Sequence, residues 1–125
     1  MDRYNPSKNI EPAVWLALDE GERLGLIEEY VQNEEDEIDD SIFSIHATAH
    51  CIVENQLALK EKETIEAYAR LRRQGLNRHE TIHAIASVVF GHINDALGAE
   101  DKDLTIRYKS RLRKLTAKRW LKGKC

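Results

Sequence analysis

Apolar side chains return every three to four residues along almost the whole of this chain, and nowhere do they alternate long enough to make a strand. Helices bury stripes of that period, whereas sheets need a period of two. The rhythm therefore points to an all-α fold. With 125 residues the chain has room for one sizeable core. Hydrophobic residues make up 42% and the whole chain has only two prolines, the balance of a folded chain rather than a disordered one. The expectation is a single helical domain over 1–125, a compact array of five or six helices.

Start and stop signals divide the pattern. Pro12 opens a first helix over 12–18, where its missing N–H is no loss. Asp19 and Glu22 have capping-box spacing and open a second helix to about residue 32. Its stripe is Leu24, Leu26, Ile27, Tyr30 and Val31. The acidic run from Glu34 to Asp40 repels itself, so residues 33–40 read as a solvated linker, with Asp39 or Asp40 capping the third helix. That helix fits 41–59, and two more fit 62–74 and 78–97. Gly75 ends one of them, and Asn77 with Glu80 opens the next. A last helix fits 101–121, basic on most faces, within a basic C-terminal segment 99–125.

Charge is polarised along the chain. Residues 1–40 carry 13 acidic and 3 basic side chains, whereas residues 107–125 carry nine basic and no acidic ones. The plain explanation is that the basic end packs on the acidic front half, within one chain or across a homodimer. The sharper one is an acidic or nucleic-acid partner for 107–125. The longest apolar run, Val14–Leu18, is far short of the roughly 20 residues a membrane span needs. No apolar leader stands at the N-terminus, and Cys51 and Cys125 form no CxxC pair, so a cytoplasmic location without a disulfide framework is expected. Cys51 reads as a small buried hydrophobe. No glycine-rich phosphate loop or Gly-x-Ser-x-Gly elbow occurs, so neither a nucleotide nor an organic cofactor is indicated.

The histidines carry the chemistry. His46 and His50 are four residues apart on one predicted helix, and His79 and His83 are four apart on another, so each pair shares a helix face. Glu54 extends the first pair by a turn. At about 100° per residue, His50 lies roughly 40° and Glu54 about 80° from His46, on the edge of the core face that Val53 and Leu57 define. His79 and His83 lie about 60° and 100° from the buried Ile82, while Glu80 is turned out to about 160°. Two such pairs meeting between packed helices would suit a divalent transition metal such as zinc, iron or manganese, with His46, His50, Glu54, His79 and His83 as ligands.

The run His79-Glu80-x-x-His83 has the form of the zinc-peptidase motif, in which the glutamate is the general base. Against that reading, Glu80 sits in the first turn, where capping Asn77 is work enough, and the usual downstream spacing offers no third ligand unless Glu54 or His50 supplies it from the other helix. Glu80 or Glu54 is nevertheless the carboxylate to consider as base for a metal-dependent hydrolase. Arg78, near the N-terminus of the same helix, is a candidate anion-binding residue. The competing class is a metal-free interaction or adaptor domain whose histidines are structural.

The stretches Trp15-Leu-Ala-Leu-Asp-Glu-Gly-Glu-Arg23, His46-x-x-x-His50-x-x-x-Glu54-Asn-Gln56 and Arg78-His-Glu-x-x-His83-Ala-Ile85 resemble those of an uncharacterised family of small bacterial helical proteins. The resemblance covers roughly residues 10–97. It implies a helical core with a histidine–glutamate cluster drawn from His46, His50, Glu54, His79, Glu80 and His83, and it implies no substrate.

Overall fold

The computed structural model describes residues 1–35, 39–98 and 104–123, with side chains of 94–98 outside the description. Seven helices form among the described residues: α1 Pro12–Ala17, α2 Glu20–Glu34, α3 Asp40–Ala58, α4 Lys62–Arg73, α5 Arg78–Gly98, α6 Leu104–Lys114 and α7 Ala117–Leu121. The all-α class stands, but the expected count of five or six is corrected to seven. The last predicted helix is two. Arg70 of α4 donates to the carbonyls of Leu112 and Leu115, which ends α6. The Thr116 side chain then accepts from the N–H of Arg119 and starts α7. Gln74 accepts the N–H of Ala117 and holds the new helix against the end of α4. A helix straight through to residue 121 would forgo all of these bonds.

Elsewhere the caps act as their spacing predicts. Asp19 and Glu22 close a capping box at α2. Asn77 and Glu80 close another at α5, with Glu80 Oε1 accepting from the Asn77 N–H at 2.9 Å and the Asn77 side chain accepting from the Glu80 N–H at 2.8 Å. Between α4 and α5 the chain turns through Gly75, whose φ of 102° is open to glycine and strained for other residues. Leu76 N–H bonds to Leu71 O and Gly75 N–H to Arg72 O, the two bonds of a Schellman ending. This corner decides which way α5 presents its first two turns.

Helix α3 is the central element, packed against α5 on one side and against α1 and α2 on the other. Two apolar cores result. One gathers Val53, Leu71, Ile82, Ile85, Val89 and Leu112 from α3 to α6. The other gathers Tyr4, Trp15, Ile27, Val31, Ala47 and Cys51 beneath the N-terminal segment. Cys51 is buried as expected, and burial pushes its thiol up to about 11; Cys125 lies outside the described residues. No helix among the described residues is long and apolar enough to cross a membrane.

Candidate metal centre

The seam where α2, α3 and α5 meet brings four imidazoles around one carboxylate. Glu35, the residue just past the end of α2, supplies the carboxylate. Its Oε2 lies 2.8 Å from Nε2 of His46, and its Oε1 lies 3.1 Å from Nε2 of both His79 and His83. Nε2 of His79 and Nε2 of His83 are themselves 3.1 Å apart. Two N–H groups facing each other at that distance repel, so at least one of these nitrogens presents a lone pair. The His50 ring lies within 5.0 Å of the His83 ring and 5.6 Å of the His46 ring, centroid to centroid. One ligand atom from each of Glu35, His46, His50 and His83 falls within 4.8 Å of the other three, which makes this set a candidate metal-binding site.

Glu35 is not among the residues that spacing singles out, and it corrects the picture of a wholly solvated linker: its side chain is only 11% exposed. Asp39, as expected, caps α3 through the N–H of Ser41; residues 36–38 lie outside the described residues. A signal for Glu35 does exist. Ile27, Val31 and Glu35 continue one stripe at intervals of four, and the first two are fully buried. The charged run around Glu35 masks that register.

Burial by itself raises the Glu35 carboxyl, but the imidazoles of His46, His79 and His83 set against it outweigh burial and hold the group well below the usual carboxylate range. His50 goes the other way. Burial, reinforced by the neighbouring His83, lowers its ring to about 3, so it is neutral at neutral pH. His50 is fully buried, and its Nε2 has no hydrogen-bond partner. A buried ring nitrogen left bare is costly unless something fills the place in front of it.

The other ring nitrogen of His50 is engaged. Nδ1 lies 3.0 Å from the hydroxyl of Tyr4, and that hydroxyl donates to Oε2 of Glu54. Arg78 clamps Glu54 with two N–H donors, at 3.0 and 2.8 Å, and donates from Nη1 to the carbonyl of Pro6 at 2.9 Å. Burial and the nearby Glu54 carboxylate push the Tyr4 phenol well above its ordinary value, so Tyr4 keeps its proton.

These contacts commit Glu54, Glu80 and Arg78 elsewhere. Glu54 is not gathered into the ligand set: it is 2% exposed and committed to Arg78 and Tyr4, which also removes it as a general base. Glu80 is occupied in the capping box, on the outward face of α5, and is not placed to act as a base. Arg78 is buried against Glu54 and does not offer an anion site. His79 reaches Glu35 and His83 but stands outside the tightest set of four, at its edge. His46, His50 and His83 fall within the clustered set. His92 stacks on Tyr108 away from the cluster.

Neighbouring motif residues are structural. Trp15 donates from its indole to Asn55 at 2.9 Å, and Arg23 donates to the carbonyls of Trp15 and Leu16, pinning α1 to α2 and α3. Gln56 accepts from Thr64 and Tyr108, tying α3 to α4 and α6. Together, the fold and the seam define an all-α protein with a candidate histidine–carboxylate metal centre. Comparison with protein-family models, curated proteins and solved structures gives no match. The assignment of the site thus rests on its own geometry.

Proposed function

We propose that this protein binds one divalent transition-metal ion through Glu35, His46, His50 and His83, with His79 at the edge of the site. The observation that carries the reading is the bare, fully buried Nε2 of His50 beside three further ligand groups. Proximity supports it, since one ligand atom from each of the four residues lies within 4.8 Å of the others. A set this rich in imidazole favours zinc, iron or manganese over magnesium or calcium, which take oxygen ligands. The resemblance to small bacterial helical proteins with a histidine–glutamate cluster belongs to the same reading.

The finer reading is a metal-dependent hydrolase. His79 and His83 are 25% and 30% exposed, so the cluster is open on one side. When bound, such an ion polarises water and the carbonyl or phosphoryl oxygen of an ester, amide or phosphoester. With Glu54 and Glu80 committed elsewhere, His79 is the base this chain offers at the open edge.

The deciding experiment is elemental analysis by plasma mass spectrometry on protein purified without a histidine tag, beside a His50→Ala, His83→Ala double variant. Near-stoichiometric zinc, iron or manganese is expected in the wild type and little in the folded variant. No metal in either sample, with reloading also failing, would overturn the reading and leave the histidines structural, as in an interaction domain.

A further inference from the structure

Resting on that metal reading, we infer that Tyr4 is the positioning residue of the centre: it fixes His50 as its Nδ1–H tautomer, so that Nε2 is offered bare to the ion. The protons can be traced outward from Arg78. A guanidinium only donates, and Arg78 places two N–H groups on Glu54. Glu54 is therefore an acceptor, and the single proton of the Tyr4 hydroxyl goes to it. The Tyr4 oxygen is left with lone pairs. The contact of 3.0 Å to His50 Nδ1 is then a hydrogen bond only if Nδ1 carries the proton. A neutral imidazole has one N–H, so Nε2 has none. That is the nitrogen found buried and without a partner.

Each member of the chain Arg78, Glu54, Tyr4, His50 thus sets the proton of the next, and the last step points a lone pair into the site. Ligating histidines commonly donate their other N–H to an outer group that fixes ring and tautomer, and losing that group typically weakens metal binding about 10–100-fold. Here the outer group comes from the segment ahead of α1, which has no helix of its own. Arg78 fastens the segment through the Pro6 carbonyl, and Tyr4 packs edge-on against both His50 and Tyr30. The role also explains why Glu54 follows His50 by one helical turn without joining the ligand set.

The test uses the full chain in two states. In the metal-free wild type, long-range proton–nitrogen NMR of the imidazoles should show His50 protonated on Nδ1 and bare on Nε2. The Tyr4→Phe variant should lose that single tautomer. Zinc or cobalt(II) affinity, by competition with a chelator, should fall about 10–100-fold in Tyr4→Phe. Tyr108→Phe, which removes a different buried hydroxyl, should bind as the wild type does. An Nε2–H tautomer in the wild type overturns the inference and needs no variant to fold. So does a folded Tyr4→Phe protein that binds metal within about threefold of wild type, set against the 10–100-fold expected. Because the tautomer is read without metal, failure to bind any metal is told apart: it would overturn the metal reading while His50 still showed the predicted proton.

Discussion

Replacing Arg78 with methionine is the sharpest test of the buried chain behind the site. Arg78 and Glu54 are 7% and 2% exposed and share two hydrogen bonds. Arg78→Met keeps most of the apolar stem and removes the charge. Glu54 is then left in the interior with Tyr4 as its remaining donor, and the Pro6 carbonyl loses its partner. Breaking a buried ion pair from one side costs about 3–5 kcal/mol, since the surviving charge is desolvated and uncompensated. For a chain of this length that is on the order of 10–20 °C in Tm. The assay is urea unfolding followed by circular dichroism, with chelator present. Adding Glu54→Met should restore much of the loss, because an apolar pair in place of a buried ion pair is often near neutral. A loss under about 1 kcal/mol, the size expected of an exposed pair, would refute the reasoning.

Three further outcomes are expected from the same structure. In metal-free protein, His50 is lowered to about 3 by burial, so the stability it contributes is full above its unfolded value near 6.5 and is lost as pH falls toward 3. Over that window a single proton steepens the slope by up to about 1.4 kcal/mol per pH unit, and His50→Gln should flatten it; equal slopes would contradict the assignment. Gly75→Ala should destabilise by about 1–2 kcal/mol through its left-handed backbone, since nothing lies within 4 Å of the added carbon. Its metal affinity should hold, as measured by chelator competition. Glu80→Gln should keep the capping box and full metal content, whereas Glu80→Ala should lose about 1 kcal/mol of stability and keep the metal. Loss of metal from a folded Glu80→Gln protein would return Glu80 to the site.

Most of the fold is legible in the sequence because helix signals are local. Asp19 with Glu22, and Asn77 with Glu80, need only a few residues of chain to act, and they act as predicted. The break between α6 and α7 escapes such a reading although Thr116 is a good cap, because the decisive bonds come from Arg70 and Gln74, more than forty residues away. Spacing alone finds the histidines, since four residues is one helical turn. The same rule misassigns Glu54. It shares the helix edge with His50, but a buried arginine from α5 claims it.

By itself the sequence determined that this chain is helical, where its main helices start, and that two histidine pairs lie on core-side edges. Periodicity and caps act within a turn or two, so one dimension suffices for them. Tertiary structure alone decided which carboxylate the histidines meet. Glu35 enters because α2 ends against α3, and Glu54 leaves because Arg78 and Tyr4 converge on it from α5 and from the segment before α1. A side chain's partner depends on what folding brings within about 3 Å of it, the reach of a hydrogen bond, and that distance is set by packing rather than by position in the chain.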